Sequence, residues 1–276
     1  MAKTWLALMA ALFVTATASA YDTKAQVTGH ELPSELKGVG VEEHLGAQLD
    51  LSNTFTDEAG ATVPLRSFFT GEKPVLLAMV YYTCPSLCNY HLNGLTDTMK
   101  QLKWTAGRDF EVVAVSMNSS ETSDVAGKKK TSYLQAYGRH EGDKGWHFLV
   151  GNEGNVRALA QQLGFKFQWI EEKKQFAHAS VAYVLTPEGK ISRYLHGIAV
   201  EPQTMRLSLL EASNGKIGSI VEQAMMICFA FDPAKGKYTI YAWNIMRIGA
   251  ALMVLLLAVI FLPIWWRDRH QQGPRI

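Results

Sequence analysis

The chain has 276 residues, 48% apolar and 19% charged, which is enough for one sizeable domain with appendages or two small domains. Its 27 Lys and Arg against 25 Asp and Glu give a formal net charge of +2, and no clustered basic face is evident, which excludes nucleic acid as a partner. The run Lys128-Lys129-Lys130 is short and reads as a solvated helix face.

Residues 1–20 read as a signal peptide. Lys3 supplies the positive start, Trp5 to Val14 the short apolar stretch, and Ala18-Ser19-Ala20 the small residues of a cleavage site. Residues 21–50 have little periodicity and are expected to be an extended N-terminal segment. From Leu51 the pattern sharpens. Asn53 to Asp57 and Thr62 to Leu65 flank Glu58-Ala59-Gly60 and predict a hairpin. Pro74 introduces Val75 to Tyr82, an unbroken apolar run that suits a central strand buried on both faces. Leu92, Leu95, Met99 and Leu102 then recur at helical spacing, and Glu111 to Met117 is a second apolar strand. A helix over 122–139, a strand over 146–150 and a helix over 152–163 follow. Strands over 181–185 and 190–195 are joined by the turn Thr186-Pro187-Glu188-Gly189, and a helix over 201–212 closes the series. This order predicts one α/β domain over residues 51–212, its sheet mixed because the last strand pair is antiparallel.

Residues 213–244 read as a connector. Residues 245–266 contain the near-continuous apolar run Ile248 to Trp266, long enough for a transmembrane helix and edged by Trp243, Trp265 and Trp266. Arg267, Arg269 and Arg275 follow in a tail, 267–276, expected on the cytoplasmic side. An exported N-terminus demands the same orientation. The expected location is the bacterial inner membrane, with a single C-terminal anchor and the globular domain in the periplasm.

The chain has three cysteines. Cys84 and Cys88 sit where the first buried strand hands over to a helix. A bridge between them would close too small a loop to constrain the unfolded chain much, so a purely structural role gains little. Helix N-terminal amides favour thiolate, which is both nucleophile and metal ligand. Residues four apart share a helix face, so two sulfurs at this spacing can grip one soft ion, of which Cu(I) is a prime example, or join as a disulfide. Two thiolates are too few for a structural zinc site. An imidazole would complete a copper site, and two histidines are candidates. His91 shares the helical face of the cysteines. His178 lies in Phe176-Ala177-His178-Ala179-Ser180, just before a strand. In a thioredoxin-like sheet that loop end approaches the cysteine helix, and no proline fills it here. His147 and His196 read as packing or surface residues and His44 as exposed. Cys228, beside Met225 and Met226, reads as packing, as do Met79 and Met99.

At these residues the chain resembles the Sco/SenC family of thioredoxin-like copper proteins. The resemblance rests on Pro74-Val75-Leu76-Leu77 entering Thr83-Cys84-Pro85-Ser86-Leu87-Cys88, on Val113-Ala114-Val115-Ser116, on Trp146-His147-Phe148-Leu149, and on Phe176 to Ser180. It implies a thioredoxin-like fold with a mixed central sheet flanked by helices, and copper bound by Cys84, Cys88 and His178. It further implies assembly of the CuA site of cytochrome c oxidase, through copper delivery to the CuA-bearing subunit or reduction of that subunit's cysteines. Other envelope copper or thiol-redox proteins would be further partners. The alternative is an envelope thiol–disulfide oxidoreductase, with Cys84 and Cys88 as a redox-active pair and no copper-delivery role. Three features depart from the family pattern. Asn89 stands where a proline often follows the second cysteine. Met117 to Glu121 replaces an acidic Asp-Pro loop. The anchor is C-terminal rather than N-terminal.

Overall fold

A computed structural model describes residues 38–84, 87–214, 229–232, 237–240, 250–260 and 262, with backbone alone at 87–89, 229–232, 239 and 240. In chain order the strands are β1 (Gly40–Val41), β2 (Thr54–Thr56), β3 (Thr62–Pro64), β4 (Val75–Val80), β5 (Glu111–Ser116), β6 (Trp146–Leu149), β7 (Phe165–Lys166), β8 (Gln168–Ile170), β9 (Gln175–Ala177), β10 (Val181–Leu185), β11 (Ile191–His196), β12 (Phe229–Asp232) and β13 (Lys237–Ile240). The helices are α1 (Leu87–Gln101), α2 (Ser123–Tyr137), α3 (Glu153–Gln162) and α4 (Pro202–Ala212).

The two apolar runs expected at the centre form the middle of a five-stranded sheet, in the order β11-β10-β4-β5-β6. Every residue of β4 and of β5 is buried, as a strand covered on both faces requires. β4, β5 and β6 run parallel, and their crossovers pass through α1 and α2. β10 is antiparallel to both β4 and β11, so the sheet is mixed. This is a thioredoxin-like arrangement. Local chemistry agrees with it. Asn152 caps α3 by accepting from the Asn155 amide, and Gly138 closes α2 in the left-handed conformation.

α1 packs against α2 on one side and α4 on the other. It also lies against the chain that leaves β11. The Thr98 hydroxyl donates to the Val200 carbonyl at 2.8 Å, and Gly94 approaches so closely that a Cβ there would sit 2.1 Å from the Ile198 carbonyl oxygen. Gly94→Ala is therefore expected to lose roughly 2 kcal/mol, because the overlap outweighs the ~1 kcal/mol gained from alanine's helix propensity. Chemical denaturation of the variant checks this, and a stabilised variant would mean the backbones are not in contact.

Several parts differ from the expectation. The end of the segment expected to be merely extended is tied to the domain: β1 pairs with β7, and Leu49 is buried. A hairpin of β8 and β9 precedes His178, its strands too short to show alternation. The connector contains a second hairpin, β12–β13. That hairpin is fastened through Tyr238, whose hydroxyl donates to Glu211, itself held by Arg193 at 2.6 Å. Lys130 departs from the expected solvated face by pairing with Glu58, both partly buried. Residues 250–260 are helical and exposed, with Ala258 partly covered, and no helix among the described residues is long and apolar enough to cross a membrane. The rest of the 245–266 span, residues 1–20, Cys228, Met225, Met226 and the tail 267–276 lie outside the described residues.

Candidate thiol and metal site

Antiparallel pairing sets the geometry. Val75 faces Leu185 and Ala78 faces Ala182, so the C-terminal end of β4 lies beside the N-terminal end of β10. Cys84 follows the first end and His178 precedes the second. The two segments meet where the rings of Tyr81 and Phe176 stand edge-on, 5.4 Å between centroids.

β4 leaves the sheet in a turn closed by the Cys84 amide donating to the Tyr81 carbonyl at 3.4 Å. Cys84 is only 5% exposed. A single carboxylate holds this turn from below. Glu121, itself buried, accepts from the Tyr82 amide at 2.9 Å, the Thr83 amide at 2.7 Å, the Thr83 hydroxyl at 2.7 Å and the Ser116 hydroxyl at 2.6 Å. Four donors satisfy both oxygens, which is what a buried carboxylate needs. Glu121 is the functional residue that the sequence did not reveal. It lies in the very loop that departs from the family pattern, and no spacing rule links it to Thr83.

Cys88 is the second residue of α1, three positions before His91 and four before the buried Leu92. No acidic residue stands in the first turn of α1 to oppose its N-terminal dipole.

His178 is 9% exposed and lies over the Phe165 ring at 6.1 Å. Its Nδ1 is 2.9 Å from the Ala179 carbonyl. A carbonyl only accepts, so Nδ1 carries the proton and the lone pair is on Nε2. Burial holds the ring's pKa below the ordinary histidine value, against an opposing effect of the Ala179 carbonyl. A neutral ring with a fixed tautomer is the form that ligates a metal.

His91, the other candidate imidazole, is 1% exposed and serves differently. Its Nδ1 lies 3.1 Å from the Gly197 carbonyl and 2.8 Å from the Ser180 hydroxyl, which itself donates to Gly197 at 3.2 Å. His91 thus pins α1 to the strand end that carries His178, two residues before Ser180. Burial pushes its pKa down to about 4, opposed by the carbonyls of Gly197 and Val181, and the nearby His178 lowers it slightly further. Among the described side chains no three of His, Cys, Asp and Glu form a group able to hold a metal, so Cys84, His91 and His178 are not such a set. The structure therefore brings Cys84 and His178 to one end of the sheet and assigns His91 to positioning. His147 packs on Phe68 and contacts Glu111 at 3.3 Å, as expected of a packing residue, and the exposed His196 contacts Glu43 at 2.7 Å. His44, expected to be exposed, is half-buried with Nδ1 3.1 Å from the Gln162 carbonyl.

The family model described as SCO1/SenC matches residues 42–211, more than half of the chain. The chain belongs to this family. The match begins just after β1 and ends in α4, so it spans the five-stranded sheet together with Cys84, Cys88 and His178. Among solved structures, a putative electron transfer protein from Aquifex aeolicus VF5 is similar at 24% identity and a TM-score of 0.53, over 61% of this chain and 94% of that one. A SCO1/SenC family lipoprotein from Bacillus anthracis str. Ames is similar at 14% identity and 0.50, over 63% and 99%. Arabidopsis thaliana ScoI, solved with copper bound, is similar at 16% identity and 0.47, over 58% and 95%. No curated protein sequence matches the chain. At these identities the first two likenesses speak for the fold.

Proposed function

We propose that the protein is a membrane-anchored, copper-binding and thiol-active assembly factor of the bacterial envelope. Its cargo is one copper ion held by Cys84, Cys88 and His178. The target is the CuA site of cytochrome c oxidase, reached by delivering copper or by reducing the target's cysteines. The observation that carries this reading is the fixed tautomer of His178, a neutral ring placed at the sheet end where β4 delivers Cys84. A redox pair alone has no need of such a ring. The donor set of two thiolates and an imidazole suits a soft ion.

The same sulfurs have two uses. Reduced, they bind copper. As a reductant, one thiolate attacks a partner disulfide to give a mixed disulfide, and the second thiol then displaces it. The Cys84–Cys88 disulfide forms while the partner gains two electrons and two protons. The oxidised pair cannot hold copper, so loading and reduction compete. The apolar run within 245–266 is read as an anchor, and residues 1–20 as an export signal. An anchor confines the site near membrane targets and raises its effective concentration there.

The test is copper titration of the reduced full-length chain beside Cys84→Ser and Cys88→Ser. Wild type is expected to retain one tightly held equivalent and each variant to lose it. A variant that keeps a full equivalent contradicts the ligand set. A wild type that holds no copper tightly yet reduces disulfides establishes the oxidoreductase reading instead.

A further inference from the structure

The two flanks of the α1 N-terminus differ. One carries His91, Ser180 and His178. On the other a cavity of about 520 Å³ opens between α1 and α2. Tyr82 and Thr83, from the turn that ends at Cys84, form one end of it, and Asn93 lines the α1 wall. The α2 wall carries Lys128 and Lys129, with Tyr133 among the apolar surfaces. None of the described residues that line it is acidic. The nearest buried carboxylate, Glu121, is turned inward onto the amides of Tyr82 and Thr83. Glu58 pairs with Lys130. The cavity thus has a cationic wall and a partly apolar lining, and it runs directly to the cysteine turn.

We infer that this groove docks an acidic segment of the protein that exchanges copper or thiols with Cys84. The occupant is a peptide stretch bearing carboxylates beside an apolar residue, the carboxylates meeting Lys128 and Lys129 and the apolar side chain meeting Tyr133. The inference rests on the reading of Cys84 as the working thiol only for its purpose, since peptide binding in the groove needs neither copper nor a free sulfur. Opposite charge across a rim of this kind guides encounter and orientation, and it weakens with salt.

The experiment uses the full-length, copper-free chain in detergent and a fluorescein-labelled, cysteine-free decapeptide of Asp, Glu and Leu. Its Asn/Gln and Lys versions serve as comparisons, and binding is read by fluorescence anisotropy at low and high salt. The acidic peptide is expected to bind, to weaken as salt rises, and to outcompete both other peptides. Lys128→Glu/Lys129→Glu is expected to weaken it roughly tenfold. Lys103→Glu/Lys190→Glu, which changes net charge equally at exposed positions elsewhere, is expected to leave it nearly intact. Equal binding of all three peptides overturns the inference, and so does equal loss in the two double variants. Vesicles of anionic lipid that bind through Lys128 and Lys129 while the acidic peptide does not would also overturn it, making the groove a lipid site. Copper stoichiometry of Lys128→Glu/Lys129→Glu is measured alongside and reports separately on the metal reading, because the peptide assay is run without copper.

Discussion

Glu121→Ala is expected to destabilise the protein by about 3 kcal/mol. The carboxylate receives four hydrogen bonds, and its loss falls unevenly on the donors. Thr83 is exposed, so water can replace its partners. The Ser116 hydroxyl keeps the Asn118 carbonyl at 3.2 Å. The Tyr82 amide is buried and would be orphaned, and the space left by the side chain adds a cavity cost. Glu121→Asp is shorter by one methylene and cannot reach both backbone amides, so it is expected to fall between alanine and wild type. Denaturant midpoints check the order. The same substitutions free the turn that positions Cys84, so copper affinity should fall although Glu121 is not a ligand. Unchanged stability in Glu121→Ala would mean that the four contacts do not hold the turn.

Acidification is expected to destabilise the domain through His91. Its folded pKa of about 4 lies below the value of about 6.5 expected when unfolded. Between those values the unfolded state binds the proton and the folded state does not. The contribution is therefore fully present above about pH 6.5, falls as pH drops, and is lost at about pH 4. The total is roughly 3 kcal/mol. His178, also lowered by burial, acts in the same direction. Carboxylates titrate in the same window, so the comparison is with His91→Gln, which can still donate to Gly197. The wild type should lose more stability than this variant between pH 7 and pH 4. Parallel pH profiles would show that the buried ring is not a proton-linked element.

The parts of the fold legible in the sequence are those where one physical signal dominates over many residues. The run Val75 to Val80 suits a strand buried on both faces and Leu92, Leu95 and Met99 recur at helical spacing, and in the structure the first is a wholly buried strand and the others are buried on one helix. Given that order, the placement of Cys84 and His178 at the same end of the sheet follows from the β4–β10 pairing. The β8–β9 hairpin was not legible, because strands of three residues carry no alternation to read. Glu121 was not legible for a different reason. Two of its four partners are backbone amides, which every residue but proline possesses, so nothing at positions 82 and 83 advertises an acceptor 39 and 38 residues further on. His91 shows the limit of periodicity. Helical spacing set it on a face with both cysteines, but Cys84 lies in the turn before α1, and the His91 Nδ1 meets Gly197 and Ser180, whose approach depends on how the chain leaves β11.

X-ray absorption of the reduced chain loaded with one equivalent of copper tests the central claim most directly. Two sulfur scatterers and the multiple-scattering signature of one imidazole are expected, with the imidazole signature lost in His178→Ala while the sulfurs remain. Copper bound without sulfur, or an imidazole signature unchanged in His178→Ala, would contradict the account.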